Sequence, residues 1–324
     1  MKIAVLGTGA YGIALASVLD HNKNEVTMWS KFSTEIDELN KKRTSPKLQD
    51  YTIPVDISFT TNMKEAIQGK ELIVIAVPAA FVDDVARELN PILNSNQHLC
   101  VASKGIENDT YLFVDDVIKK YINTNKLAVI SGPSFAIDIV KKIPIGLSLG
   151  TKNSDTASII IQAFQNEYFK FRVTEDIKGI EICGSIKNVI AIAAGMLDGM
   201  QLPESTKAMF ITESLHDIKE LIYKLGGDKK TILSFAGFGD LLLTCTSPKS
   251  RNFSFGQLIG KKIPKDEIED YKCSTTIEGL YTLKSIYQLT KDKNVDMPII
   301  DLIFDIVENG KDPETLKQFL IEKD

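Results

Sequence analysis

The sequence predicts two successive fold classes, an α/β part built on a doubly wound parallel sheet and then an all-α part. Up to about residue 173, short all-apolar runs alternate with helical segments, which is typical of parallel strands and their crossover helices. After Thr174 the chain shows helical periodicity and almost no β-branched runs. We therefore expect two domains, residues 1–180 and residues 181–324.

The composition is that of a globular protein. Of 324 residues, 44% are hydrophobic and 25% are charged, and a net charge of −5 gives no general attraction to nucleic acid or anionic membrane. The four cysteines are widely spaced and match no zinc pattern, so we expect reduced thiols, no metal and a cytoplasmic location. We expect no signal peptide, and the longest apolar run, residues 72–82, is too short to span a bilayer.

The first predicted strand leads into a glycine-rich turn and then a helix. Ile3–Leu6 is all apolar, and Gly7-Thr8-Gly9-Ala10-Tyr11-Gly12 follows it directly, ahead of the helical segment 13–19. In a Rossmann-type domain the first glycine permits a tight turn, the second lets the backbone approach a pyrophosphate, and the third lets helix and strand pack closely. Free N–H groups at the helix start favour phosphate. The pattern predicts dinucleotide binding, and the alternative is a glycine-rich turn without a ligand.

The second predicted strand, Glu25–Trp29, ends where a residue that reads the adenosine ribose is expected, about 20 residues beyond the glycines. Domains that prefer NAD place Asp or Glu there. Here Ser30 and Lys31 follow the strand, which leaves no carboxylate for a 2′-hydroxyl and one cation for a 2′-phosphate. This favours NADPH over NADH, and the alternative is that Lys31 is a solvated loop lysine.

Polar residues follow two of the later predicted strands, which cover residues 72–77, 99–102, 127–130, 145–149 and 169–173. Ligands of doubly wound sheets bind at the carboxyl ends of strands, so Lys104 and the turn around Gly132 and Ser134 are candidate ligand contacts. The alternatives are a surface position for Lys104 and a helix-capping role for Ser134.

Lys187 is the residue on which the functional interpretation depends. It is one cation in a run of small and apolar residues, 184–195, whose helical spacing predicts a buried face. Burial without a partner disfavours an ammonium, whereas a nearby carboxylate or phosphate favours it, so such a lysine can be poised for proton transfer. The alternative is a lysine that reaches solvent from the edge of the helix.

A second group of polar residues lies in the helical half. Asp240 stands beside an apolar run and requires a cation if it is buried. Arg251 offers a planar fork suited to phosphate, and Ser250 and Asn252 add neutral donors beside it. The alternatives are a solvent-facing helix N-cap for Asp240 and a surface ion pair for Arg251.

Together, these motifs resemble the bacterial-type NAD(P)-dependent glycerol-3-phosphate dehydrogenases over nearly the whole chain, from Gly7–Gly12 to Asp296-Met297-Pro298-Ile299. The resemblance implies interconversion of dihydroxyacetone phosphate and sn-glycerol 3-phosphate, with NADPH or NADH as the cofactor. It also implies a cytosolic homodimer that supplies the glycerol backbone of phospholipids.

The resemblance further implies roles for individual residues. Lys187 matches the proton donor and acceptor, and Asp240 would hold its ammonium in place. The implied cofactor contacts are Gly7, Gly9, Ala10, Tyr11, Gly12, Lys31, Phe81, Lys104, Ala136, Arg251, Thr276 and Glu278. The implied substrate contacts are Lys104, Gly132, Ser134, Lys187, Asn188, Asp240, Thr244, Ser250, Arg251 and Asn252.

Two positions depart from the family pattern, because Glu213 stands where an arginine is common and Ala79 where a serine follows Val-Pro.

Two rival functions remain open at this point. One is a different β-hydroxyacid or sugar-acid dehydrogenase, against which residues 250–252 favour a small phosphate ester. The other is a dinucleotide-sensing regulatory protein without turnover, against which Lys187 and Asp240 argue.

None of the three histidines, His21, His98 and His216, lies in a motif, so we expect structural or surface roles for them.

Overall fold

Eight strands form one sheet in the first part of the chain. The computed structural model describes residues 1–323. Within it the strands are β1 (Lys2–Leu6), β2 (Glu25–Trp29), β3 (Ser58–Thr60), β4 (Leu72–Ile75), β5 (His98–Val101), β6 (Leu127–Ser131), β7 (Ile145–Gly150) and β8 (Phe169–Thr174). Their order is β3-β2-β1-β4-β5-β6-β7-β8, and every neighbouring pair is parallel except β6 and β7. The predicted doubly wound sheet is therefore confirmed.

The strand order reverses between β1 and β4, because β1 continues to β2 and β3 on one side while β4 continues to β5 and β6 on the other. In open α/β sheets the crevice outside such a reversal is where ligands bind. The glycine turn follows β1 directly, so it lies at this reversal.

Helices cover the sheet and form the second half of the chain. Those up to residue 164 are α1 (Ala10–His21), α2 (Ser33–Lys42), α3 (Met63–Ile67), α4 (Val82–Leu89), α5 (Val114–Lys119), α6 (Ala136–Val140) and α7 (Ser154–Phe164). Those beyond it are α8 (Ile177–Gly199), α9 (Glu204–Lys224), α10 (Asp240–Thr246), α11 (Arg251–Gly260), α12 (Lys265–Ser274), α13 (Glu278–Asp292), α14 (Pro298–Asn309) and α15 (Thr315–Glu322). The predicted change to an all-helical second half is confirmed.

Two features of the first half differ from the sequence-based prediction. The three-residue strand β3 was not predicted, because Ser58-Phe59-Thr60 lacks an apolar run and lies at the sheet edge, where side chains stay partly solvated. Ser134 does not cap α6, because the N-cap is Phe135 and no side chain caps this helix; the Ser134 hydroxyl instead donates to the Gly132 carbonyl at 3.3 Å.

The chain divides into two compact units. The first comprises Met1–Lys104 and Val114–Ile177, and the second comprises Gly105–Phe113 and Lys178–Asp324. The first contains the sheet and its covering helices. In the second, the short segment Gly105–Phe113 packs with the helices, and its Phe113 ring lies 4.5 Å from the Lys178 ammonium.

Helix α8 is the central helix of the second unit. Most of its residues are buried, which fits a helix that is apolar on all sides. Among the described residues it is the one helix long and apolar enough to cross a membrane, with a mean hydropathy of 1.5 over the best window, and 94% of that window is buried inside the protein. Helix α8 contains no long unbroken apolar run because Ser185, Lys187 and Asn188 interrupt it.

Helices α8 and α11 touch through their backbones. A Cβ atom on Gly195 would lie 2.0 Å from the Phe253 carbonyl oxygen, and one on Gly256 would lie 1.9 Å from that of Ile192. The same applies one helical turn along, at Gly199 and Gly260. Pairs of glycines four residues apart therefore let the two helices approach closely, and this contact fixes the start of α11 relative to the middle of α8.

Candidate active site

The three glycines of the turn after β1 are required for different reasons. Gly7 has φ +120°, and a Cβ there would lie 2.5 Å from the Ala76 carbonyl oxygen. A Cβ on Gly12 would lie 2.3 Å from the Gly7 carbonyl oxygen, so the start of α1 can pack on the turn only without one. Gly9 has φ −67°, and its Cβ would meet no protein atom within 4 Å. The fold thus requires glycine at positions 7 and 12, whereas at position 9 a ligand that approaches the backbone supplies the reason, and the turn fits a pyrophosphate.

Residues from three predicted stretches of the first unit meet near this turn. The Tyr11 hydroxyl, on α1, lies 3.0 Å from the Ser134 hydroxyl. The Lys104 ammonium, which follows β5, donates to the Gly132 carbonyl at 3.4 Å and lies 5.9 Å from the centre of the Tyr11 ring. Helices α1 and α6 also pack together, and α6 begins at Ala136. The structure therefore brings a half-buried cation and two hydroxyls to the carboxyl ends of the central strands.

Lys31 and Phe81 form a pair beyond the ends of β2 and β4. Both are exposed, and the Lys31 ammonium lies 4.9 Å from the centre of the Phe81 ring. A cation over an aromatic face at this distance is held electrostatically while its other side faces solvent. The pair is therefore available to an anionic or aromatic group of a ligand.

Sequence reasoning missed one ionisable residue at this position, Glu35. It lies in the first turn of α2, and its Oε2 accepts a hydrogen bond from the Ser30 hydroxyl at 2.8 Å. Burial raises the pKa of the Glu35 carboxyl, but the neighbouring side chains of Lys47, Thr8 and Ser30 outweigh it and hold the pKa below the usual range. A carboxylate thus lies next to the strand end where the sequence showed none. Helix α2 begins two residues after Lys31, and its first turn brings Glu35 back to Ser30 at the end of β2. The start of this helix is the sequence signal that could have located the carboxylate.

Lys187 is buried in the second unit and paired with Asp240. The Lys187 residue is 9% exposed and Asp240 is 1% exposed. Lys187 Nζ donates to Asp240 Oδ1 at 2.5 Å. A π-helical turn, Phe235–Gly239, places Asp240 at the start of α10, facing α8. The carboxylate compensates the buried ammonium, so neither alternative that left these two side chains in solvent agrees with the structure.

A hydrogen-bonded network surrounds Asn188, the residue that follows Lys187. The Asn188 Oδ1 accepts from the Asn252 side-chain amide at 3.0 Å, and the Asn252 Oδ1 accepts from the Gly279 backbone N–H at 2.9 Å. The Asn188 amide donates to Glu278 Oε2 at 3.5 Å. Helices α8, α11 and α13 are therefore joined by amide groups that fix the orientation of Asn188.

Helix α11 presents its N-terminus beside this network. The Ser250 hydroxyl caps it by accepting from the Phe253 N–H at 3.3 Å, and Arg251, the first helical residue, is exposed. Unsatisfied N–H groups, the positive dipole end and a guanidinium together favour an anion such as phosphate. Two other predicted contacts have different surroundings: Thr244 is buried and donates to the Asp240 carbonyl at 2.6 Å, and Thr276 is exposed.

Other reactive groups in the second unit are unsuited to the chemistry. Burial raises the pKa of the Cys245 thiol, so it stays protonated. Within residues 1–323, no three His, Cys, Asp or Glu side chains are placed to hold a metal ion.

Comparison with known proteins identifies the family. A family model described as NAD-dependent glycerol-3-phosphate dehydrogenase N-terminus matches residues 2–157, and the corresponding C-terminus model matches residues 176–318. The chain belongs to the NAD-dependent glycerol-3-phosphate dehydrogenases. It is 37% identical to glycerol-3-phosphate dehydrogenase [NAD(P)+] of Thermoanaerobacter sp. (strain X514) over 324 residues, which covers 100% of this chain and 98% of that protein.

Further relatives agree. The enzyme of the same name from Staphylococcus aureus (strain bovine RF122 / ET3-1) is 37% identical over 328 residues and is covered to 98%. The crystal structure of glycerol-3-phosphate dehydrogenase from Coxiella burnetii has a TM-score of 0.93 and 31% identity, with 99% of each chain covered. The resemblance stated from the motifs is therefore confirmed.

The two positions that depart from the usual pattern of glycerol-3-phosphate dehydrogenases have different surroundings here. Glu213, on α9, lies 3.3 Å from the Lys323 ammonium, which also pairs with the buried Asp217 at 2.7 Å. Ala79 starts a short 3₁₀ turn ahead of α4. The acidic residue at 213 thus contributes to an ion cluster between α9 and the residue that follows α15.

Proposed function

We propose that this chain reduces dihydroxyacetone phosphate to sn-glycerol 3-phosphate with NADPH or NADH, and catalyses the reverse oxidation. The observation that carries the proposal is the buried Lys187–Asp240 pair, because a desolvated ammonium held by a carboxylate is a positioned acid that nothing in the fold of α8 requires. The division of labour follows residues 1–180, which bind the dinucleotide, and residues 181–324, which bind the substrate and carry the acid.

In the mechanism that we propose, Lys187 donates a proton to the ketone oxygen and recovers it in the reverse direction. When bound, the reduced nicotinamide supplies the hydride that adds to the central carbon. Asp240 holds the Lys187 ammonium at 2.5 Å and keeps it from rotating into other rotamers. Asn188, oriented by Asn252 and Glu278, presents amide groups beside it. A positioned acid contributes about 10²–10⁴-fold to the rate.

The phosphate of the substrate binds at the N-terminus of α11. Ser250 and Arg251 supply a capped helix start and an exposed guanidinium there. Asn252, in the next position, links this helix to Asn188. Phosphate binding remote from the reacting carbon can be used to position the ketone against Lys187.

The first unit binds the cofactor along the glycine turn. Gly9 provides the approach to the pyrophosphate, Ala10 and Tyr11 begin the helix that receives it, and Lys31 provides a cation for the 2′-phosphate of NADPH. This cation is the reason to place NADPH ahead of NADH. Lys104 contributes positive charge to both ligands from the end of β5.

One assay tests the function. Purified protein is supplied with NADPH or NADH and, in turn, dihydroxyacetone phosphate, dihydroxyacetone and an acyclic β-keto acid. We expect loss of the reduced nicotinamide's absorbance with the phosphorylated ketone alone. Turnover of the β-keto acid in its place would assign the chain to another hydroxyacid dehydrogenase, and cofactor binding without any turnover would make it a regulatory protein.

The biological setting that we propose is a cytoplasmic homodimer that supplies glycerol 3-phosphate for phospholipid synthesis. Four free thiols, of which Cys273 is exposed, support a reducing compartment. Exposed apolar side chains within one stretch of the second unit, Leu233, Phe238 and Leu242, support a second copy as the partner. Gel filtration with light scattering measures the oligomeric state, and a monomer at micromolar concentration would exclude the dimer.

A further inference from the structure

The adenosine end of the cofactor site carries two opposite charges. Lys31 follows β2 and faces solvent on the outer side of the Phe81 ring. Glu35 follows it in the chain, in the first turn of α2, with a side chain only 20% exposed. A cation alone would favour a 2′-phosphate, whereas a carboxylate in the same place repels one.

Glu35 is held at the two points that define the ribose position. Its Oε2 accepts from the hydroxyl of Ser30, the residue that directly follows β2. Thr8, which lies between Gly7 and Gly9 of the turn, is near enough to the carboxyl group to lower its pKa. Thr8 and Ser30 are both buried, at 3% and 5% exposure, so the Ser30 hydrogen bond holds the carboxylate away from bulk solvent.

We propose that Glu35 is a specificity-determining residue: it accepts a hydrogen bond from the adenosine 2′-hydroxyl of NADH and repels the 2′-phosphate of NADPH. The inference rests on the proposed function. Glu35 therefore opposes Lys31, and the balance of the two lets the chain use both cofactors. In domains that prefer NAD the end of the second strand supplies this carboxylate. Here the first turn of α2 supplies it.

Lys47 adjusts the strength of this effect. Its exposed ammonium forms an ion pair with Glu35 Oε1, on the opposite side of the carboxylate from Ser30. The pair partly neutralises Glu35, so loss of Lys47 should strengthen the repulsion of a 2′-phosphate. The two residues thus predict shifts of opposite sign, which a general disturbance of the fold would not produce.

The test measures binding rather than turnover. Dissociation constants of NADH, NADPH, 5′-AMP and 2′,5′-ADP are measured by calorimetry for the wild type, Glu35→Gln and Lys47→Ala. In Glu35→Gln, which keeps an acceptor oxygen, we expect NADPH and 2′,5′-ADP to bind at least about tenfold more tightly while NADH and 5′-AMP change less than about threefold. In Lys47→Ala the ratio should move the other way, and this shift should vanish in the double variant.

The matched control is Glu38→Gln, which removes the same charge from the same helix, α2. Glu38 is exposed and forms a surface ion pair with Lys42. It should leave the ratio of NADPH to NADH affinity within about twofold. An unchanged ratio in Glu35→Gln, with both cofactors still bound, would overturn the specificity role and leave the proposed function intact. Failure of the wild type to bind either cofactor would overturn both.

Discussion

The glycine contact between α8 and α11 leads to a sharp stability prediction. In Gly256→Ala the new Cβ would lie 1.9 Å from the Ile192 carbonyl oxygen, although real Cβ atoms essentially never approach closer than 3.0 Å. Both atoms belong to helical backbone, so a side chain cannot give way and the helices must separate by roughly 1 Å. Overpacking of this kind costs about 1–3 kcal/mol, and this position is at the upper end because the contact continues at Gly195, Gly199 and Gly260.

The greater helix propensity of alanine opposes this cost. It is worth about 1 kcal/mol relative to glycine in a helix interior. The net loss in the free energy of unfolding is therefore about 2 kcal/mol, which corresponds to a fall in Tm of about 4–8 °C for the second unit. The start of α11 should move with the helix, so KM for dihydroxyacetone phosphate should rise as well.

Gly9→Ala is the matched control for this substitution. Its Cβ would meet no protein atom within 4 Å, so it should cost at most about 1 kcal/mol as a weaker N-cap while it blocks the approach of a pyrophosphate. The two variants should therefore give opposite results. Calorimetric melting should show a lower Tm mainly for Gly256→Ala, whereas cofactor titration should show weaker binding mainly for Gly9→Ala. A Gly256→Ala protein that melts at or above the wild-type temperature would refute the backbone contact.

Two further predictions concern the anion site and pH. Arg251→Ala should raise KM for dihydroxyacetone phosphate by at least about tenfold, because the guanidinium lies at the α11 terminus. Lys265→Ala, which removes an exposed charge from α12, is the control, and equal KM values in the two variants would exclude Arg251 from the phosphate site. Burial, reinforced by Lys126, lowers the pKa of His98, so the unfolded chain takes up a proton first as the pH falls below about 6.5. The free energy of unfolding should thus decrease on acidification from pH 7 to the lowered pKa. In denaturant titrations, His98→Gln should flatten the dependence of this free energy on pH. An identical dependence in the variant would show that another group is responsible.

The elements that the sequence predicted well are those whose burial is uniform. In β1, β4 and β6 the runs 3–6, 72–75 and 127–130 are buried, and each of these runs is apolar without interruption. Strand β3 has no such run because one edge and part of its surface face solvent. Residues 105–113 gave no sign that they pack with the helical unit, since that depends on contacts distant in sequence.

The candidate site divides in the same way. The burial of Lys187 could be predicted because its neighbours repeat at helical spacing, and the need of Asp240 for a cation followed from the apolar run beside it. The role of Glu35 could not be predicted from the end of β2, because the carboxylate reaches Ser30 from the following helix. The paired glycines of α8 and α11 were visible at a spacing of four, but each pair has meaning only once the other is opposite it.

The most direct test of the account is the turnover of Lys187→Met, which keeps an unbranched side chain of similar length and removes the ammonium. With saturating dihydroxyacetone phosphate and NADPH, kcat should fall by at least about 10²–10⁴-fold while the dissociation constant of NADPH stays within about threefold of the wild type. A variant that binds the cofactor normally and retains near-wild-type kcat would show that the proton comes from another group.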